Sequence, residues 1–377
     1  MSWSMARLIR PTLLLVLFCA QSSRAFSPSF PYGTGNKVRG VNLGGWLVLE
    51  PWITPSLFDD TGNSAIVDEW TFCQYQSKSV AQSKLQAHWN SWITEQDFSD
   101  IAAAGLNHVR LPIGHWAWDV SGGEPYVQGQ LTYLRKAVGW ASSHGLKLVI
   151  DLHGAPGSQN GPAGYYSSQL LNAARQYWKD SYGNIRYPYG TSQQSNTVEL
   201  IHDAFQGLPY WTNFMPAPAY QGVAIDTHIY QVFSDAENAR SQQQHIDSAC
   251  ANGAELASFN KNQLWSIVGE WTTAMTDCAK YLNGRGVGSR YDGSYDGESA
   301  VGSCSGKTGS ISQLSSSYKT FLRKMYEAQT STFEQGSGWI MWTWKAENAA
   351  DWTYQDGLNG GWIPHSPTDR EYPSICG

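Results

Sequence analysis

Seven short apolar runs recur along the chain, and stretches of helical pattern lie between several of them. The runs cover residues 38–43, 107–112, 147–151, 197–201, 223–228, 266–270 and 338–342. Most are continuous rather than alternating, as strands buried on both faces should be. The helical stretches cover 82–104, 133–143, 169–178 and 316–330. This strand–helix order predicts a parallel sheet in an α/β fold. An open doubly wound sheet commonly carries a glycine-rich first turn, and Gly44-Gly45 does not supply the G-x-G-x-x-G spacing. A (β/α)8 TIM-barrel type instead collects its chemistry at strand C-terminal ends. Glu50 follows the first run and Arg110 lies within the second. His153 ends the third, His202-Asp203 the fourth, His228 and Tyr230 the fifth, Glu270-Trp271 the sixth and Trp344 the seventh. The barrel is therefore the expected fold. It requires eight strands, however, and only seven are visible; between His153 and Thr197 there is one good helix where two helices and a strand belong.

No repeat, charge block or low-complexity run divides the chain, so residues 26–377 are expected to form one domain. Residues 1–25 carry Arg7 and Arg10, an apolar stretch over 13–20, and Ser23-Arg24-Ala25 with small residues at the positions a signal peptidase reads. They predict a secretory signal, and a secreted protein that is extracellular or in the cell wall, with no membrane span after cleavage. The net charge of -6 leaves no electrostatic footprint for nucleic acid and suits a neutral partner. Cys73, Cys250, Cys278, Cys304 and Cys376 remain after cleavage, enough for two disulfides and one thiol in an oxidising compartment. There is no C-x-x-C pair and no H-E-x-x-H, so no metal or other cofactor is expected.

Glu270 closes the run Ile267-Val268-Gly269-Glu270-Trp271. A carboxylate at the end of an apolar strand persists only with partners, which suits a nucleophile but equally a residue capping the next helix. Aromatic residues near the rim (Trp52, Trp344 and Trp271) suit sugars, whose apolar faces stack on rings. Arg110, His153 and His228 can bond hydroxyls or orient a carboxylate. Arg110 beside Glu270 would stabilise the charge a nucleophile needs.

Longer motifs carry a resemblance. They include Arg39-Gly40-Val41-Asn42-Leu43-Gly44-Gly45-Trp46, Leu49-Glu50-Pro51-Trp52, Val109-Arg110-Leu111-Pro112-Ile113-Gly114, Asp151-Leu152-His153-Gly154-Ala155-Pro156-Gly157-Ser158-Gln159-Asn160-Gly161, His202-Asp203-Ala204-Phe205, His228-Ile229-Tyr230-Gln231-Val232-Phe233, Gly269-Glu270-Trp271 and Trp344-Lys345-Ala346-Glu347-Asn348. Through nearly the whole mature chain the sequence resembles the fungal exo-β-1,3-glucanases, retaining glycoside hydrolases of family 5. The resemblance implies a TIM barrel that releases glucose from the non-reducing ends of β-1,3-glucan or laminari-oligosaccharides, and a monomer is expected. It implies Glu270 as the catalytic nucleophile. Sugar-binding or site-organising roles fall to Glu50, Trp52 (where the family often has Tyr), Arg110, His153, His228, Tyr230 and Trp344, with Phe233 at the entrance. It also implies the disulfides Cys250–Cys376 and Cys278–Cys304, leaving Cys73 as the odd thiol.

One departure matters for chemistry. The family's acid/base lies in an Asn-Glu-Pro triplet ending the fourth barrel strand, and this chain has no such triplet. Gly161 runs directly into Pro162-Ala163-Gly164-Tyr165-Tyr166, which resembles the segment starting at the Pro of that triplet. The chain is thus expected to lack one βα unit between the third and fifth barrel strands, and the proton donor with it. Glu199 and Glu347 are poor replacements, the first mid-strand and the second already matched in the family. Retaining hydrolysis uses two carboxyls, so slow turnover is expected. The alternative is a non-catalytic β-glucan-binding protein with a degenerate barrel.

Overall fold

The computed structural model describes residues 26–33, 35–155, 167–190, 194–295, 297 and 299–377. The signal segment 1–25 and the Gly161-Pro162 junction lie outside them. The seven apolar runs become seven strands: β1 Val38–Asn42, β2 His108–Gly114, β3 Lys147–Gly154, β4 Glu199–His202, β5 Val223–His228, β6 Trp265–Glu270 and β7 Gly338–Met341. They form one sheet in the order β3-β2-β1-β7-β6-β5-β4, and every pairing is parallel. Each strand therefore neighbours the next in sequence except β3 and β4, which do not pair, and β7 returns to β1. This is a TIM-barrel-like α/β arrangement, with β3 and β4 as the edges among the described residues.

Helices cover the outer face. The stretch expected as one helix over 82–104 is two, Lys78–Ser91 and Glu95–Ala103. Thr94 interrupts it: its backbone N–H donates to Asp97 Oδ2 at 2.8 Å in a capping box that starts the second helix. Helices Gln130–Ser143, Ser168–Arg186 and Ser316–Phe333 follow β2, β3 and β6 respectively. Helices Gln242–Ala251 and Gly253–Asn262, which the apolar pattern did not reveal, precede β6.

The strands' N-terminal end is shut by aromatic side chains from the segment before β1. Tyr32 stacks on Trp265 at 5.3 Å and Phe30 meets His108 edge-on at 4.7 Å. Tyr32 Oη also lies 3.1 Å from His108 Nε2. At the seam between β7 and β1, a Cβ on Gly338 would stand 2.0 Å from the Val38 carbonyl oxygen, so only glycine fits. Disulfides join Cys250 to Cys376 and Cys278 to Cys304, and Cys73 is a buried free thiol.

The edge strand β3 is unusual. Ile150 and Leu152 expose 52% and 42% of their surface, and Ile150 lines a groove of about 350 Å³ with Leu148, Leu146 and Val138. An apolar edge strand of this kind is a template for unwanted pairing. Substituting Ile150→Lys together with Leu152→Lys should raise the concentration at which the protein starts to aggregate, read by light scattering. An unchanged threshold would show that this edge does not drive association.

Candidate active site

Side chains from five strands meet at the C-terminal end of the sheet. Alternation places Asp226 and His228 of β5 on one face, and likewise Asp151 and His153 of β3. Asn42 of β1 pairs in register with Arg110 of β2, and His228 is level with Glu270 of β6 after a register shift at Thr227/His228. Arg110 is the hub. Its Nη1 donates to Glu270 Oε1 and to Asn42 Oδ1, both at 2.8 Å. Its Nη2 lies 3.1 Å from Asp151 Oδ2 and 3.7 Å from Asp226 Oδ2. Arg110, Asp226, Glu270 and Asn42 are all buried.

Glu270 is held at both oxygens. Oε1 takes Arg110; Oε2 accepts the Tyr230 hydroxyl at 2.9 Å and lies 3.4 Å from His228 Nδ1. Burial, then Glu270, pushes the Tyr230 phenol well above its usual range, so it remains a donor. Gly269 allows the close approach behind this carboxylate. Its N–H donates to Asp226 Oδ1 at 2.8 Å, and a Cβ there would lie 2.0 Å from the same oxygen. Asn42 Nδ2 bonds the Gly269 carbonyl at 2.9 Å.

The surrounding charges are set by Arg110. Burial alone would raise Asp151; Arg110 and His153 more than reverse this and hold its carboxyl well below the usual range. Burial alone would lower His153, but Asp151, 2.8 Å from Nδ1, and then Glu270 and Glu50 push it up to about 9. His228 is raised by Glu270 and Asp226 against burial. His202, whose ring is 4.3 Å from that of His228, is driven down to about 3 by burial and by His228. Glu50 is pushed up to about 7 by burial, against His153 and the Trp52 indole N–H that donates to its Oε2 at 2.9 Å. Its Oε1 is buried without a hydrogen-bond partner.

The structure thus brings together Glu50, Trp52, Arg110, His153, His228, Tyr230 and Glu270. Phe233 stands at the outside, 45% exposed and edge-on to Tyr230 at 5.2 Å. Trp344 and Trp271 sit elsewhere, which corrects the expectation that they face the rim. Trp344 is buried with its indole N–H donating to Asp97 Oδ1 at 2.9 Å. Trp271 is wholly buried against Trp339, Phe333 and Tyr326. Trp342 takes the cleft position, stacked on His153 at 5.5 Å. Trp342 and Trp344 are two residues apart, so a period of two puts both on one face and cannot separate them; β7 ends at Met341 and the chain beyond it is not a strand. Asn42, Asp151 and Asp226 were also missed. Each aspartate precedes a chosen histidine by two residues, and that spacing was the available signal. Among the described residues no group of three or more His, Cys, Asp or Glu is placed to hold a metal ion, and no helix is long and apolar enough to cross a membrane.

Residues 73–199 match Cellulase (glycosyl hydrolase family 5). A probable glucan 1,3-beta-glucosidase A of Aspergillus niger is 44% identical, over 93% of this chain and 92% of that one. A glucan 1,3-beta-glucosidase of Blumeria graminis is 41% identical over 90% of each. The chain belongs to glycosyl hydrolase family 5. It is a glycoside hydrolase in a family-5 barrel-like frame. The rutinosidase of Aspergillus niger, 18% identical, shares that fold with a TM-score of 0.61 over 87% of this chain and 98% of the other. The alignment to the A. niger glucosidase runs over 391 residues. It uses 93% of this 377-residue chain, about 351 residues, so about 40 aligned positions have no counterpart here.

Removing the hub should unbalance the site. Arg110→Met leaves three carboxylates without their common cation, and breaking a buried pair of this kind costs about 3–5 kcal/mol. Urea unfolding should show a loss of that size; a loss under about 1 kcal/mol would mean the carboxylates are compensated otherwise. His153 has its pKa raised in the folded state from 6.5 to about 9. Its contribution is therefore complete below pH 6.5 and lost as pH climbs through about 9. The melting temperature should fall across that window, and His153→Asn should flatten the fall.

Proposed function

We propose that the chain removes terminal glucose from the non-reducing end of β-1,3-glucan or laminari-oligosaccharides, with Glu270 as the nucleophile of a retaining mechanism. The carrying observation is the fixation of both Glu270 oxygens by Arg110 and Tyr230 beside Glu50, whose buried Oε1 has no partner. A buried acceptor left open costs energy unless something donates to it, and a sugar hydroxyl would. Trp52, Trp342 and His153 offer rings for the apolar face of a pyranose, and Phe233 frames the entrance. The names of the two glucosidase relatives support β-1,3-glucan as the substrate. Glu270 would attack the anomeric carbon, forming a glycosyl ester while the glucan oxygen leaves; water then cleaves the ester.

The same reading includes the loss of one strand–helix unit between β3 and β4. Supporting it are the two edges that are neighbours in sequence, the uncovered Ile150 and Leu152, and the about 40 unmatched aligned positions. By the family resemblance the acid/base belongs to that unit. Glu199 accepts from Ser181 on the helix behind the sheet, and Glu347 accepts the Ser56 N–H at 2.8 Å, so both are engaged away from Glu270. Asp151 and Asp226 are taken up by Arg110 and their histidines. A glucoside would then leave unprotonated. Two disulfides suit an oxidising compartment, in keeping with residues 1–25 as a secretory leader and 26–377 as a single, secreted domain.

Leaving-group dependence tests this. Dinitrophenyl β-glucoside, whose phenolate needs no proton, should turn over at least about 10²-fold faster than laminaribiose, the scale of lost acid catalysis. Equal rates would mean a working proton donor is present. Glu270→Gln should abolish both reactions, and a variant as active as the parent would remove Glu270 from the mechanism.

A further inference from the structure

The chain has 18 tryptophans, and among the described residues only Trp70 and Trp118 are exposed, at 40% and 53%. Both lie on neighbouring segments, Trp70 in the excursion after β1 and Trp118 in the loop after β2. The segments touch through Trp70 and Tyr126, edge-to-face at 5.5 Å. Tyr126 lies flat on the buried Trp116 at 4.2 Å and 10°, and meets His115 of the same loop edge-on at 6.3 Å.

Trp116 ties the Tyr126–Trp70 pair to the cleft wall. Trp116 Nε1 donates to Glu69 Oε1 at 2.9 Å. The other oxygen of Glu69 accepts the N–H of Leu49 at 2.8 Å, one residue before Glu50. Residues 61–77 and 115–129 contain acids, Asp68, Asp119 and Glu124 among them, and no Lys or Arg. Arg285 reaches in to the Asn63 and Ile66 carbonyls but is mostly buried and paired with Asp59 at 3.3 Å. A surface of exposed indoles fringed by carboxylates repels nucleic acid and anionic lipid. It suits an uncharged chain with apolar C–H faces and many hydroxyls.

We propose that Trp70, Trp118 and Tyr126 form an auxiliary stacking surface for polymeric β-glucan, outside the cleft and held in fixed relation to it by Glu69. The inference rests on the β-glucan reading above. Tyr126, already stacked on Trp116, and Trp70, packed edge-on against Tyr126, lose little freedom when a glucan chain lies across them.

Electrophoresis through native gels containing laminarin tests the surface. The parent should be retarded, and Trp70→Ala/Trp118→Ala should bind laminarin about tenfold more weakly, while calorimetry gives the same affinity for laminaribiose in the cleft. Retardation equal to the parent's, or a parent that binds laminaribiose yet is not retarded, overturns the surface alone. A parent that binds neither ligand overturns the β-glucan reading and the surface with it. Should the double variant melt early, Trp118→Ala alone serves, since that side chain is 53% exposed; it should still weaken laminarin binding, and parental retardation counts against the proposal.

Discussion

One buried guanidinium sets the terms for the rest of the site. Arg110 sits inside β2 with Asp151, Asp226 and Glu270 around it, and isolated charges in such a place would be prohibitively costly. The arrangement holds only if β2, β3, β5 and β6 keep their register, because each supplies one partner. Asn42 reinforces this by bonding Arg110 and the Gly269 carbonyl together. The consequence for chemistry is orientation: Glu270 is presented with both oxygens occupied by donors, at the sheet end left open by the aromatic closure at the opposite end. The strand register and the aim of the proposed nucleophile are thus the same constraint.

Much of the frame was legible because buried parallel strands leave continuous apolar runs. All seven runs became strands, and the one expected long helix failed only at Thr94, where a local capping box outweighs the helical pattern. The site was partly legible. Glu270, Arg110, His153 and His228 stand at strand ends where polarity is conspicuous. Asp151 and Asp226 were overlooked although they occupy the same faces two residues earlier, since a strand-interior acid reads as structural. Trp342 and Trp344 are not told apart by the sequence, because a period of two gives both the same face; the strand stops at Met341, and Trp344 turns away to Asp97. Trp271 follows Glu270 and so points to the opposite side, into the aromatic core with Trp339 and Phe333. That much was implied by a period of two.

The open side of the sheet links stability and chemistry. Parallel strands ordinarily have both faces covered, yet Ile150 and Leu152 of β3 are exposed. In the proposed reading a single absent strand–helix unit accounts both for this uncovered apolar face and for a nucleophile without a partner acid. On that reading the proposed nucleophile would keep its supports, because they come from β1, β2, β5 and β6, none of which borders the gap except through neighbours.

Covalent trapping tests the central assignment most directly. A 2-deoxy-2-fluoro-β-glucoside with a dinitrophenyl leaving group needs no proton donor to glycosylate the enzyme, and its fluorine slows release of the ester. Peptide mapping by mass spectrometry should find one fluoroglucosyl group on the peptide containing Glu270. A label on Glu50 or any other carboxylate, or an enzyme that turns the reagent over without ever being labelled, would contradict the account.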